Sequence, residues 1–294
     1  MTTALVTGLS GFTGRFLKQR LEQDGHRVIG LSNSKNQPEN GIFQADLMNL
    51  SQLKSVIAKV NPDYVVHLAA IAFVGHGDTD EIYQTNLIGT QHLLQALSEL
   101  PVTPKHIILA SSANTYGNAQ VEPIIETTPF TPVNDYAVSK VAMEYMARTW
   151  QDKLPISIVR PFNYTGVGQS SQFLLPKIVM HFKEKAEVIE LGNLDVVRDF
   201  SDVRDVVDAY AKLIQHEANC AAYNVCSGIG VSLLDVVQTM RVISSHDINV
   251  RVNPNFVRAN ELKRLVGSDN KLSSIIGERD KHSLEETLLW MYNN

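Results

Sequence analysis

Cysteine is nearly absent, with Cys220 and Cys226 the only two in 294 residues. They flank one apolar stretch, so the chain offers neither a disulfide framework nor a set of metal-binding thiols, and no metal is expected. Charge excess is also small. A formal net charge of −5 gives no long-range pull toward nucleic acid or an anionic membrane, and neither is an expected partner. No apolar run approaches the ~20 residues that span a bilayer, and the first residues lack the basic and apolar blocks of a secretory leader. The expected residence is cytoplasmic. Charged residues make up 19% and hydrophobic residues 44%, which excludes a disordered composition and permits a sizeable core. Neither internal repeats nor low-complexity tracts interrupt the sequence.

What the chain has in quantity is an alternation of short apolar runs with amphipathic ones. Residues 2–7 read as a buried strand, Gly8-Leu9-Ser10-Gly11-Phe12-Thr13-Gly14 as a tight turn, and residues 15–21 as an amphipathic helix. Such a junction makes an anion cradle. Glycines let the backbone turn tightly and approach a diphosphate, while the free N–H groups of the first helical turn point at it. The strand before and the helix after give this spacing its meaning as a dinucleotide site built on Gly8, Gly11, Phe12, Thr13 and Gly14.

Further strands at 26–31, 41–45, 64–70, 105–110 and 156–160 alternate with helices at about 50–60, 80–100 and 136–150, the second of these capped by Thr79. This rhythm indicates an α/β fold with a doubly wound, mostly parallel, Rossmann-like sheet. Beyond residue 165 it loosens into helices at 172–183, 232–244 and 285–292, while 201–217 and 222–226 read as a helix and a strand rejoining the main sheet. The expected division is a dinucleotide-binding domain at 1–165, with 197–226 returning to it, and a smaller C-terminal α+β substrate lobe made of 166–196 and 227–294.

The second strand ends in Ser32-Asn33-Ser34-Lys35, with no acidic residue to bond the adenosine ribose hydroxyls. Small polar side chains and Lys35 accommodate a 2′-phosphate instead, so NADP(H) is preferred and NAD(H) stays open. Arg15, after the third glycine, reads either as a second phosphate partner or as a surface charge. His76, in the loop 71–78, reads as a solvated loop histidine.

Tyr136 and Lys140 are four apart and share one helix face. A phenol with a free pKa near 10 is a poor acid–base group at neutral pH. An ammonium ~5 Å away, at an effective dielectric of ~20, favours the phenolate by roughly 3 kcal/mol, or about two pKa units. The expectation is a phenol brought near operating pH. Lys140 can also bond the nicotinamide ribose, and Ser112, at the end of the 105–110 strand, supplies a hydroxyl for the substrate oxygen.

Thr7-Gly8-x-x-Gly11-Phe12-x-Gly14, His67-Leu68-Ala69-Ala70, Ser111-Ser112-Ala113-Asn114-Thr115-Tyr116-Gly117, Tyr136-Ala137-Val138-Ser139-Lys140 and Arg160-Pro161-Phe162-Asn163-Tyr164-Thr165-Gly166 together resemble the extended short-chain dehydrogenase/reductases that act on nucleotide sugars. The resemblance covers essentially the whole chain. It implies a catalytic set of Ser112, Tyr136 and Lys140. It implies that Asp46 and Leu47 meet the adenine, that Leu68, Ala69, Ala70 and Phe162 line the cofactor alongside Ser32 and Asn33, and that Asn86 supports the nicotinamide side. Asn163 and Arg198 would meet the sugar diphosphate, and Arg258 with Glu261 the nucleoside diphosphate and its ribose. The chain has Ala259 and Val167 where the family usually has proline.

Dehydratases of this family need a carboxylic acid and base directly after the strand-end Ser/Thr. Here those positions are Ala113 and Asn114, neither a general acid at neutral pH. The resemblance therefore implies reduction of the C4 ketone of a GDP-4-keto-6-deoxyhexose by NAD(P)H, giving GDP-D-rhamnose or its C4 epimer. A nucleotide-sugar C4 epimerase with tightly bound NAD, and a dinucleotide-binding protein without turnover, are the two other readings left open. The helices at 80–100 and 136–150 are expected to pair in a homodimer, with Gly89 allowing close approach there or packing within the monomer.

Overall fold

The computed structural model describes residues 1–33, 41–72, 78–256 and 263–294. In order, the first half contains β1 (Thr3–Thr7), α1 (Phe12–Gln23), β2 (Arg27–Ser32), β3 (Ile42–Gln44), α2 (Leu50–Val60), β4 (Tyr64–His67), α3 (Thr79–Tyr83), α4 (Gly89–Ser98), β5 (His106–Ala110) and α5 (Asp135–Arg148). The second half contains β6 (Ile156–Pro161), β7 (Asn163–Thr165), α6 (Leu174–Lys183), β8 (Val188–Leu191), β9 (Val197–Asp202), α7 (Val203–Leu213) and β10 (Ala222–Val225). It closes with β11 (Gly230–Ser232), α8 (Leu233–Ser244), β12 (Asn249–Val252), β13 (Arg264–Leu265), α9 (Asn270–Ile276) and α10 (Leu284–Asn293).

Seven strands form one sheet in the order β3-β2-β1-β4-β5-β6-β10, every neighbouring pair parallel. Alternate residues along a strand face opposite sides, and the cores follow that period. Ala4 and Val6 of β1 join Leu17 and Leu21 of α1 and Val206 and Tyr210 of α7 on one face. Leu5 joins Leu53 and Ile57 of α2, Leu93 and Leu97 of α4, and Met143 and Ala147 of α5 on the other. Both faces are covered, which is why these strands read as continuous apolar runs. The crossover order places all the strand carboxyl ends, and hence the candidate site, along one edge.

A third core joins Ile178 and Phe182 of α6, Ile189 of β8, Val236 and Met240 of α8 and Leu288 of α10. Around it lie a small sheet in which β9 pairs with β11, β13 and β7, and the parallel pair β8–β12. From the stretch 197–226, α7 packs on the main sheet and β10 pairs with β6, whereas β9 lies in the small sheet. One later element joins them there, since Leu272 of α9 packs into the first core.

Several local expectations need correction. The helix expected at 80–100 is not continuous. A π-helical turn at Gln84–Ile88 separates α3 from α4, and the cap is Asp78 rather than Thr79, its carboxylate accepting from Glu81 N at 3.0 Å. A carboxylate set at the helix start satisfies an orphan N–H and complements the dipole. The strand expected at 64–70 ends at His67; beyond it Leu68 N donates to Thr7 O, and Ala69 N to Thr7 Oγ1. α5 starts one residue early, at Asp135, because Asn134 caps it through Ala137 N.

Candidate active site

The turn after β1 is shaped by what glycine permits. Gly8 has φ +72°, and a Cβ there would lie 3.0 Å from Ala69 N. A Cβ on Gly14 would lie 2.3 Å from Gly8 O, so the helix start can sit on the turn only without a side chain. Gly11 is the extended N-cap residue of α1 and offers no side chain to its first N–H groups. The result is an uncapped helix N-terminus behind a backbone concavity, a shape and polarity that fit a dinucleotide diphosphate. Thr13 Oγ1 and Tyr164 OH are 2.8 Å apart, the Phe12 and Tyr164 rings stack, and Arg15 donates to Gly168 O. Those three contacts tie α1 to β7 and the segment after it, and they give Arg15 a structural partner.

Tyr136, Ser112 and Lys140 come together where β5 ends against α5. Ser112 Oγ accepts from Asn114 N at 3.1 Å and shares a hydrogen bond with the Tyr136 phenol. Tyr136 and Ser112 are each 7% exposed and Lys140 is 4% exposed. The expected phenol poised near neutrality is not what the structure holds. Burial pushes Tyr136 up to about 12, with the Ser112 bond opposing and nearby Tyr164 reinforcing the shift. Lys140 turns away to donate to Ala110 O at 2.8 Å, and burial pulls it down to about 8. Removal from water raises the phenol and lowers the ammonium, and in neither case is the other group among the causes of the shift.

The other candidates sit as follows. Ser32 ends β2 and Asn33 follows it, and Asp46 Oδ1 accepts from Met48 N in the turn before α2. Leu47 packs beneath Gly89 and accepts from His92 Nδ1 through its carbonyl. Gly89 is therefore spent inside the monomer. Leu68, Ala69 and Ala70 follow β4 beside the glycine turn, half-buried. Phe162 is 3% exposed, its ring held against Gly267 and Tyr116. Asn163 Nδ2 is buried and has no hydrogen-bond partner among the described residues, whereas Arg198 donates to Val197 O. Lys35, His76, Arg258 and Glu261 lie outside the described residues. Ala113, 1% exposed, and Asn114 stand after Ser112, so no acid occupies the positions a dehydratase would use.

Asn86, on the π-helical turn, is fully buried; its carbonyl oxygen accepts from Ile71 N and its amide donates to Ile71 O and Ser139 Oγ. A π-turn of this kind re-aims one side chain. Here it pins the loop after β4 to α5 between Tyr136 and Lys140. Thr90 Oγ1 donates to Asn86 O, which obliges His67 Nε2–H to donate to Thr90 and leaves Nδ1 to accept from Thr7 Oγ1. His67 is neutral in that chain, burial and Lys140 pulling it down to about 3. Sequence reasoning missed this relay, and it missed Glu144 and Arg160 beneath the site. Glu144 continues the Tyr136–Lys140 spacing by one more turn, a signal that was present.

The sequence profile of the NAD dependent epimerase/dehydratase family matches residues 4–226. This chain belongs to that family. Its members' architecture is the one described above: the structure of RMD from Pseudomonas aeruginosa complexed with NADPH superposes with a TM-score of 0.85 at 29% identity, over 100% of this chain and 98% of that one. The family member GDP-6-deoxy-D-talose 4-dehydrogenase of Aggregatibacter actinomycetemcomitans is 36% identical over 99% of this chain and 97% of its own length. GDP-6-deoxy-D-mannose reductase of Pseudomonas aeruginosa is 31% identical over 96% of this chain and 93% of its own. The chain is an NAD(P)-dependent oxidoreductase of the extended short-chain type. Among the described residues no helix is long and apolar enough to cross a membrane.

Proposed function

We propose that this enzyme reduces the C4 ketone of a GDP-4-keto-6-deoxyhexose, giving GDP-D-rhamnose or its C4 epimer GDP-6-deoxy-D-talose. The observation that carries the reading is the buried Ser112–Tyr136–Lys140 group beside an uncapped glycine turn, in a chain whose two named relatives are a 4-dehydrogenase and a reductase of GDP-linked 6-deoxyhexoses. In this reading the diphosphate of NAD(P)H rests on Gly8, Gly11, Phe12, Thr13 and Gly14. Ser32 and Asn33, with Lys35, meet the adenosine ribose, Asp46 and Leu47 the adenine, and Leu68 to Ala70 the inner cofactor. The GDP sugar lies between the dinucleotide-binding domain, which offers Asn163, whose buried amide awaits an acceptor, and Arg198, and the substrate lobe, 166–196 with 227–294, which offers Arg258 and Glu261.

NAD(P)H, when bound, supplies the hydride. Everything else falls to the chain. At neutral pH the Tyr136 phenol keeps its proton, because burial makes ionisation cost about 3 kcal/mol more than in water. That is the state a reduction consumes: an acid beside a forming alkoxide, a far stronger base than a phenolate. Ser112 steadies the same oxygen. Lys140, still mostly an ammonium at neutral pH, stabilises the negative charge that passes to Tyr136. We further propose a homodimer through α4 and α5, where Val138 and Tyr145 are exposed at 38% and 56%.

The test supplies the keto-sugar with NADPH and follows loss of reduced-nicotinamide absorbance, with NMR of the product to fix C4. Stoichiometric oxidation of cofactor is expected, and Tyr136→Phe should lower kcat by about 10³ while cofactor affinity holds. No turnover with either cofactor, or full activity in Tyr136→Phe, overturns the reading. Tightly bound NAD with sugar interconversion and no cofactor consumption would replace it with an epimerase.

A further inference from the structure

Beneath the proposed catalytic group lies an ion pair that the chemistry above does not use. Glu144 and Arg160 are 0% and 1% exposed. Glu144 Oε1 accepts from Arg160 Nε at 2.9 Å and Oε2 from Arg160 Nη2 at 2.6 Å, a two-pronged match of fork to carboxylate. Arg160 Nη1 donates on to Tyr116 OH at 2.7 Å and to Glu126 O at 2.9 Å, and Phe130 covers the guanidinium at 4.6 Å. A buried pair of this kind rarely stabilises a fold more than apolar side chains of the same volume would. What distinguishes this one is where it is attached. Glu144 stands on α5 one turn beyond Lys140, and its Oε1 also accepts from Ser111 Oγ at 2.6 Å. Ser111 is the residue before Ser112.

We propose that Glu144, held by Arg160, is a positioning residue of this site: it locks the end of β5, which carries Ser112, to the helix that carries Tyr136 and Lys140, and it sets negative charge one turn from Lys140. The inference rests on the ketone-reduction reading for its kinetic part alone. Lys140 faces Tyr136 and Glu144 on its own helix and His67 on β4, and His67 is neutral. Glu144 faces Arg160 on β6 and Tyr116 beyond β5, and the Glu126 carboxylate, which accepts from Asn224 N, lies near the same tyrosine. Of these groups, Glu144 is the one that opposes the loss of the Lys140 proton caused by burial. Removing its charge would also leave Arg160 unanswered nearby, and both changes push Lys140 in the same direction.

The experiment compares Glu144→Gln, Glu144→Asp and Ser111→Ala with the parent enzyme in the full chain. Its readouts are kcat and KM across pH, and the Lys140 titration followed by NMR of lysine-labelled protein, assigned with Lys140→Arg. Glu144→Gln should move the Lys140 titration, and the alkaline limb of kcat with it, down by about one pH unit. It should also lower kcat about tenfold near neutrality, with KM unchanged within about twofold. Glu144→Asp should restore the limb while kcat stays reduced, and Ser111→Ala should lower kcat without moving the limb. A Lys140 titration identical in Glu144→Gln and parent, or parental kcat in Ser111→Ala, overturns the proposal. Should Glu144→Gln fail to fold, Ser111→Ala and Glu144→Asp decide it. Should the parent not reduce the keto-sugar, the functional reading falls while the Lys140 titration still judges the charge effect.

Discussion

The turn after β1 and the floor under α5 border the same site and are made of opposite materials. The turn presents backbone: glycines, an uncapped helix end and no charged side chain at its N-cap. The floor presents side chains: a buried ammonium, a buried carboxylate–guanidinium pair and a neutral imidazole, each held by named partners. A backbone site tolerates almost any neighbour and no added Cβ. A side-chain site tolerates small shifts in volume and no lost partner, because every orphaned charge there is far from water.

The largest effect expected from breaking this contrast is on the floor. Arg160→Met leaves Glu144 buried without its partner and should cost about 3–5 kcal/mol of stability, read by urea denaturation. A loss under about 1 kcal/mol would mean that water reaches the carboxylate. Next comes the turn. Gly14→Ala places a Cβ 2.3 Å from Gly8 O and 2.5 Å from Leu9 O, so the turn must shift: cofactor affinity should fall about 100-fold, roughly 2.7 kcal/mol, by fluorescence titration, with a smaller stability loss of about 1–2 kcal/mol by urea denaturation. Equal losses in binding and stability would erase the distinction between the two regions.

The pH dependence sharpens it further. The proposed reduction requires Lys140 charged and Tyr136 protonated, and burial holds them at about 8 and about 12. Activity should be flat near neutrality and fall tenfold per unit above about pH 8 as Lys140 loses its proton. Lys140→Arg should abolish that limb. The stability sign is separate: a lysine held at about 8 when folded and near 10.4 when unfolded disfavours the native state below pH 8 and ceases to do so as pH rises past the unfolded value. The smallest effect is expected at the bridge between the turn and the second half of the chain. Tyr164→Phe removes the hydroxyl partner of Thr13 and should weaken cofactor binding by about 1 kcal/mol, several-fold by titration.

Much of this was legible beforehand, unevenly. The glycine turn was readable because steric need acts on residue identity at fixed spacing, and Gly8 and Gly14 could be nothing else. The strand–helix alternation was readable because both faces of the sheet are covered, leaving continuous apolar runs such as Ile107-Ile108-Leu109. The pairing of Tyr136 with Lys140 on one face followed from helical period. Their ionisation did not follow: a pairwise attraction can be written from sequence spacing, but desolvation depends on what else closes over the two groups. The π-helical turn at Gln84–Ile88 was invisible for a similar reason, since its gain is the Asn86 clamp on Ile71 and Ser139, fifteen and fifty-three residues away.

By itself, then, the sequence determined the elements, the phosphate-sized turn and which side chains could do acid–base work, because those are local properties of residue type and period. Tertiary structure alone decided that Lys140 bonds the Ala110 carbonyl, that Tyr136 stays protonated, that His67 accepts at Nδ1, and that Arg160 lies under Glu144. Each of these depends on how much water is excluded and on partners distant in the chain, and neither quantity is carried by neighbours in sequence.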